Sequence, residues 1–289
     1  MNAKIKFSLS MAIFGSIGFF SVKTGLPSIE LVFIRCICAC ILLSVFYSFS
    51  RRKEIRRVER KEFGISILCG VFLVVNWVFF FRSFEHMSVT VAVSIYHLAP
   101  VLVIVLGSVL YKERLTWKGM FAVLICFIGT LLVGDIQNSL SFSAFQSNGL
   151  IWAFGAALFY ALTTLTGKRI RSLHPLLNTV IQTSVGIIML LPLVEWSFFQ
   201  HLTMANWIYI LLTGMIHTGF VYYLFFSSLP NLASGTIAIL VFIDPAVAIL
   251  MDIGLTAYRP GLLQVVGIMA IFFGIVKAER GLTRSALKG

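Results

Sequence analysis

The sequence predicts an all-α polytopic membrane protein whose ten transmembrane helices form two inverted five-helix repeats. Three observations predict it. The chain has 289 residues, 59% hydrophobic and only 12% charged, with a mean hydropathy of +0.97, whereas a soluble domain carries roughly 25% charged residues. Apolar runs near the ~20 residues needed to cross hydrocarbon occur ten times, at about 5–22, 29–49, 63–83, 87–111, 117–135, 149–167, 174–194, 206–227, 232–255 and 260–280. Two of these runs carry a mid-span proline at matching places, Pro100 and Pro245, 145 residues apart.

The charge follows the spans. With the N-terminus placed inside, 19 of the 23 Lys and Arg fall on the inner side, and Lys23, Arg82 and Arg259 fall on the outer one. That asymmetry obeys the positive-inside rule, so both termini are expected in the cytoplasm and the chain in the cytoplasmic membrane. The run Arg51-Arg52-Lys53-Glu54-Ile55-Arg56-Arg57 then faces anionic headgroups, which makes the lipid bilayer the partner of this basic chain and excludes nucleic acid. The first span follows Lys4 and Lys6 as a signal peptide would, but nine more spans make it an uncleaved signal-anchor. Cys36, Cys38, Cys40, Cys69 and Cys126 all lie in apolar spans without a histidine cluster, and read as small buried hydrophobes.

The offset of 145 holds beyond the prolines. Phe81 maps to Phe226, Ser83 to Ser228, Ile104 to Ile249, Leu110 to Leu255, Arg114 to Arg259, Phe127 to Phe272 and Gly129 to Gly274. At the front of each half Ala12-Ile13-Phe14-Gly15 resembles Ala153-Phe154-Gly155 at a slightly shorter offset. The expected halves are residues 1–141 and 142–289. Five spans per half is odd, so the second half enters the membrane inverted, and inverted repeats place substrate near the midplane at matching interrupted helices.

Inside a helix, Pro245 frees the carbonyl of Val241 and Pro100 that of Tyr96, and such breaks persist at membrane depth only where protein or a wet cavity surrounds them. Pro100 and Pro245 are therefore expected as structural kinks that frame a site. Asp244, beside Pro245, is a carboxylate at membrane depth and a functional candidate on that ground. If ionised it needs a cation: a substrate ammonium, a coupling proton or Na⁺, or a basic side chain. Its alternative role is a protonated or capped structural group.

The ten spans, the duplication, Arg35 in the second span, Pro100 with the aliphatic run to Lys112-Glu113-Arg114-Leu115-Thr116, and Ile243-Asp244-Pro245-Ala246-Val247 together resemble the drug/metabolite transporter superfamily, EamA type, over essentially the whole chain. One position departs: Tyr258 stands where the second half would repeat Glu113. The resemblance implies secondary transport by alternating access, with four spans of each half around a central cavity and the fifth and tenth peripheral. It also supplies the substrate class, amino acids, amines or related compounds, and export as the direction.

The other candidate substrate-binding residues are Asn76, Trp77 and Phe80 in the third span, Tyr96 and His97 before Pro100, Tyr160 and Thr164 in the sixth span, and Tyr222, the offset partner of Trp77. Two such aromatics facing one cavity can grip a ring, an aliphatic chain or an amine, or simply fill the bundle. His97, His217 and Asp244 are the proton-coupling candidates; each histidine titrates near neutrality when unperturbed, or is a satisfied core residue. Gly149, Ala153, Ala157 and Ala161 form a small-residue ridge for close helix packing, and Gln182 needs a buried partner. Arg35 lies about two turns from the outer edge of its span, where snorkelling is open to it.

The expected function is a secondary-active transporter of a small metabolite, needing no cofactor or metal, coupled to a proton or Na⁺ and acting as monomer or homodimer. The alternatives are an uptake carrier for a cationic or nucleoside-like metabolite, an intramembrane enzyme, and a channel. The sequence has no phosphate-binding loop of the Gly-x-x-x-x-Gly-Lys-Ser/Thr kind, no His-Glu-x-x-His and no Gly-x-Ser-x-Gly, which argues against ATP as the driving force and against an enzyme. Nothing in it resembles a selectivity filter.

Overall fold

The computed structural model describes residues 2–50, 59–87, 89–112, 117–133, 149–255 and 261–286. Seven helical stretches are long and apolar enough to cross a membrane, and three shorter apolar helices, Gly119–Leu132, Ser234–Ala248 and Leu262–Gly274, complete ten at the predicted places. The first half is α1 (Ala3–Phe14) with α2 (Ile17–Val22), α3 (Ser28–Ser50), α4 (Arg60–His86), α5 (Val89–Tyr96) with α6 (Ala99–Tyr111), and α7 (Trp117–Val133). The second is α8 (Gly149–Gly167), α9 (Pro175–Leu190), α10 (Met204–Leu212) running through a π-helix (Thr213–Phe220) into α11 (Val221–Ser228), α12 (Ser234–Leu240) with α13 (Ile243–Leu255), and α14 (Leu262–Ala286).

Local chemistry starts these helices where the sequence allows. The Asn2 side chain accepts the Lys4 N–H at 3.2 Å and caps α1. Pro175 occupies the first turn of α9, after the His174 ring takes the Leu176 N–H. Thr203 and Asn206 close a capping box ahead of α10. α6 ends on Lys112 in a left-handed conformation, φ 53°, where the Glu113–Thr116 segment leaves the described residues. The basic run 51–58, Tyr258 with Arg259, and the expected repeat boundary at 141/142 also lie outside them.

Both proline spans are broken as expected, but the proline is not inside a helix. Pro100 and Pro245 each sit in the first turn of the second segment, α6 and α13, where a missing N–H costs nothing. The Val241 carbonyl is not orphaned either: it accepts the Asp244 N–H at 3.1 Å. The breaks therefore fall at His97–Leu98 and at Val241–Phe242, one turn earlier than the prolines themselves.

The inverted repeat is visible in contacts between equivalent residues. Trp77 Nε1 donates to the Tyr222 hydroxyl at 2.6 Å across a separation of 145 positions. The His97 and Phe242 rings, also 145 apart, stack with centroids at 6.0 Å, and the Cys126 thiol meets the Ile271 carbonyl at 3.5 Å at the same separation. Residues that touch their own repeat equivalents lie on the pseudo-two-fold axis, so the axis runs through the site region and out between α7 and α14.

Around that axis the helices divide as the repeat demands. α8 packs along α4 with Ala153, Ala156, Ala157 and Ala161 fully buried, as the small-residue ridge predicts. α3 packs on α9 and on the π-helix. α7 and α14 pair with each other beside a separate small core of Ile104, Ala122, Cys126, Ile239, Phe242 and Ile271, away from the central one. At their crossing a Cβ on Gly129 would fall 2.7 Å from the Gly267 carbonyl, and one on Gly274 3.0 Å from that of Ala122. These are again equivalent contacts, 122 with 274 and 129 with 267. Gly274→Val is expected to force this pair apart and cost about 2 kcal/mol, the usual range for overpacking, read as a lower thermal unfolding temperature in detergent. Because the pair is peripheral, ligand binding by the folded fraction should survive.

One end of the bundle is closed. Lys168, one of the inner-side cations, is buried, donates to Ser234 Oγ at 2.9 Å and lies 4.8 Å from the centre of the Tyr111 ring. The Tyr111 hydroxyl donates to the Leu165 carbonyl. A Cβ on Gly107 would meet the Ser234 side chain at 2.7 Å. The ends of α6, α8 and α12 are thus drawn together.

Candidate functional site

Where the two broken spans meet α4, α8 and α11, the expected site residues converge. Asn76 Nδ2 donates to the Ala156 carbonyl at 2.7 Å and reaches the Tyr96 hydroxyl at 3.3 Å. Phe80, one turn along α4, lies 4.3 Å from the Tyr96 ring centre, and Tyr96 meets Tyr160 edge-on at 5.6 Å. Tyr96, Tyr160, Tyr222 and Asp244 all lie within electrostatic range of one another. One face of α4 therefore presents Asn76, Trp77 and Phe80 together, as the helical spacing predicts.

Asp244 and Tyr96 are half-buried, whereas Asn76, Trp77, Tyr160 and Tyr222 are buried. Asp244 forms no side-chain hydrogen bond or ion pair among the described residues. Its backbone carbonyl is covered by α1: a Cβ on Gly15 would lie 2.5 Å from that oxygen, 2.9 Å from Val247 Cβ and 3.1 Å from the Ala248 nitrogen. The break at Gly15–Ser16 between α1 and α2 lies against the break before α13, and glycine is what permits the approach. Thr164 lies beside Tyr160, and neither hydroxyl completes a well-formed hydrogen bond. The site is rich in buried polar atoms awaiting partners, an uncommon state for a protein interior.

Trp77 and Tyr222, matched by the offset, meet each other directly. They hold each other, with ring centres 4.9 Å apart and edge-on as well as hydrogen-bonded, so as a closed pair they form a wall. The indole N–H and the phenol find no better buried partner, and aromatic side chains with polar tips settle in this way. Removing the bond by Trp77→Phe or Tyr222→Phe is expected to cost about 1 kcal/mol each. The double variant should cost little more than either single one, because both remove the same bond; a thermal double-mutant cycle measures this coupling.

The histidines separate. His97 Nδ1 lies 2.7 Å from the Val93 carbonyl, which fixes the proton there, and Nε2 faces the interior without a partner. His217 is on the π-helix, 2.8 Å from Ser16 Oγ and 3.4 Å from the Leu212 carbonyl, with the Phe20 ring at 5.1 Å. It belongs to a second cluster with Arg35 rather than to the tyrosines. Gln182 finds Asn178 Oδ1 at 3.2 Å, an atom that also accepts from Ser66.

For Arg35 the sequence left burial and snorkelling both open, and the structure shows burial. It does not snorkel: it is 0% exposed and the largest fully buried side chain among those described. It lies on the same face of α3 as Val32 and Ala39, both also 0% exposed, while the lipid face of that helix carries Ile41, Val45 and Phe49. That spacing was a readable signal. The π-helix that receives Arg35 was not readable, since nothing in Thr213–Phe220 distinguishes i→i+5 from i→i+4 bonding beyond its two glycines.

Ten apolar helices, an inverted repeat and broken spans meeting at a polar, aromatic centre define a helical membrane transporter of the two-repeat kind. The family model described as "EamA-like transporter family" matches residues 3–134 and again 147–278, and the chain belongs to that family, within the drug/metabolite transporter superfamily. It is 49% identical over 274 residues to "Uncharacterized transporter YxxF" of Bacillus subtilis (strain 168), covering 95% of this chain and 88% of that one. It is 22% identical over 192 residues to "Pseudopaline exporter CntI" of Pseudomonas aeruginosa (strain UCBPP-PA14), covering 66% of this chain and 65% of the relative. A solved structure described only as "Crystal structure of protein" superposes with a TM-score of 0.80 at 14% identity, over 96% of this chain and 98% of its own, and supports the fold.

Proposed function

We propose that this transporter is secondary-active and exports a small amine-bearing metabolite, an amino acid, amine or related compound, across the cytoplasmic membrane by alternating access. The observation that carries the substrate's charge is Asp244: a half-buried carboxylate at the junction of the two halves, with no cation or donor among the described residues and three tyrosines within electrostatic range. A substrate ammonium supplies the missing charge and the aromatic faces suit it. Asp244 is also the group for a coupling proton, since burial in low dielectric disfavours the charged form of any carboxylate. His97, which stacks on Phe242 beside it, and His217 are the further proton candidates.

The closed end, at Lys168 and Ser234, is assigned to the cytoplasm by the distribution of Lys and Arg, with both termini on that side. The exporter named among the relatives agrees with the direction. Counterflow in sealed proteoliposomes tests the proposal: liposomes loaded with one unlabelled amino acid or amine at a time should accumulate the labelled form without ATP. Uptake that requires ATP, or flux at channel rates without saturation, would overturn it.

A further inference from the structure

Arg35 has more donors than the protein satisfies. Its Nε donates to Thr218 Oγ1 at 2.8 Å, and Thr218 passes a hydrogen bond on to the Thr213 carbonyl at 2.9 Å. Nη1 and Nη2 are buried and have no hydrogen-bond partner, leaving four N–H groups unmet. The groups that face the guanidinium are the rings of Trp77 and Phe81, at 5.3 and 5.1 Å, the Cys36 thiol, the Tyr222 hydroxyl and the His217 imidazole. Among the described residues none of these is a carboxylate. Aromatic faces offset part of the cost of a buried cation, but a guanidinium in a dry interior without a counter-ion remains expensive. An apolar side chain would fill the space more cheaply.

The surroundings are built to seat it. The π-helix puts Thr218 under Nε, and π-helical turns recur at functional sites. A Cβ on Gly214 would collide with Cys38 Cβ and lie 3.5 Å from Arg35 Cα, so this glycine lets α3 close on the π-helix at Cys38, one turn from the arginine. The lid over Arg35 is Trp77, whose indole is also the wall of the central site through its bond to Tyr222. Tyr222 in turn stands within electrostatic range of both Arg35 and Asp244. If the Trp77–Tyr222 bond opens, the guanidinium fork is presented to the tyrosine cluster that Asp244 joins.

We infer that Arg35 receives a carboxylate of the substrate, in bidentate fashion, after Trp77 swings aside. The substrate is then a zwitterion or amino acid derivative, whose acid goes to Arg35 and whose amine goes to Asp244. This rests on the transporter reading above and adds the anionic pole to it. Neutral amines and polyamines lack the group that opens the lid.

The test compares acids with their amides. L-α-amino acids and longer β- and ω-amino acids are each paired with the carboxamide, and binding to purified full-length protein is measured by thermal shift and by counterflow competition. The amide keeps the ammonium for Asp244 and loses only the carboxylate. At least one acid is expected to bind ten-fold or more tighter than its amide, with Arg35→Lys weakening the acid about ten-fold and Arg35→Gln erasing the acid–amide ratio. A merely structural arginine would lower the unfolding temperature and leave that ratio alone. Equal binding of acids and amides by the wild type overturns the inference even if Arg35→Gln does not fold, and so does an unchanged ratio in a folded Arg35→Gln. Counterflow of amines or amides alone would overturn the role of Arg35 and leave the proposed function standing. A wild type that carries no member of the panel removes both.

Discussion

Asp244→Asn is expected to reduce transport of amine-bearing substrates at least 30-fold in kcat/KM while leaving the fold intact or slightly more stable. The two halves of that outcome have different causes. Asn is isosteric and uncharged, and Asp244 makes no side-chain hydrogen bond or ion pair among the described residues, so nothing in the resting structure is broken. Removing a half-buried carboxylate that has no partner among the described residues relieves part of a desolvation cost, and stabilising changes at functional positions commonly trade against activity. The substrate loses its only anionic partner in the tyrosine cluster. Truncating one member of a buried charge pair costs about 2 kcal/mol or more, which is about 30-fold in an equilibrium constant. Counterflow by proteoliposomes carrying the variant, with expression and thermal unfolding measured alongside, gives both readings. Unchanged flux of every amine, with unchanged dependence on pH, would make Asp244 a structural group.

The same carboxylate shows how far the sequence could be read. Hydropathy and length identified ten spans because lipid leaves the chain few options: every backbone group must be paired within the helix. The offset of 145 located the two breaks and, unexpectedly, pairs of residues in contact. Trp77 with Tyr222 and His97 with Phe242 were matched as equivalents, and equivalents touch only where the pseudo-axis passes. The contact itself was not legible, because an offset says which residues correspond and not how far each lies from the axis.

The burial of Arg35 and Lys168 was not settled by the sequence, for one reason. Each is a cation near a span end, where snorkelling and loops are the common fates of such residues, and only the neighbouring helices decide otherwise. Arg35 is buried by the π-helix and Lys168 by Ser234 and Tyr111. The prolines were read correctly as breaks but with the wrong cost. Pro100 and Pro245 begin new helical segments, so the orphan carbonyl expected at Val241 is met by Asp244's own N–H. That hydrogen bond ties the backbone of Asp244 to the break, and its side chain makes no hydrogen bond or ion pair among the described residues.

Gly15→Val is the other change expected to have a large effect, and it acts on the same kink from outside. A Cβ at Gly15 would stand 2.5 Å from the Asp244 carbonyl, a backbone atom that cannot rotate away, and 2.9 Å from Val247 Cβ. The helix must therefore move: either α1 withdraws from α13 or the segment from Val241 to Asp244 shifts. Overpacking of this kind costs about 1–3 kcal/mol. The larger consequence falls on activity, because α1 holds Phe14 against Tyr222 at 4.9 Å and Ser16, at the break into α2, stands 2.8 Å from His217. Displacing α1 loosens the aromatic wall and the π-helix together. Gly15→Ala should lower the unfolding temperature modestly and reduce counterflow several-fold, and Gly15→Val should abolish it in protein that still purifies as a folded species. Gly18, just past the break in α2, has nothing within 4 Å of an added Cβ, and Gly18→Ala is the control expected to leave both measurements unchanged. Equal losses from Gly15→Ala and Gly18→Ala would mean that helix flexibility, rather than contact with the Asp244 kink, is what glycine provides in this span.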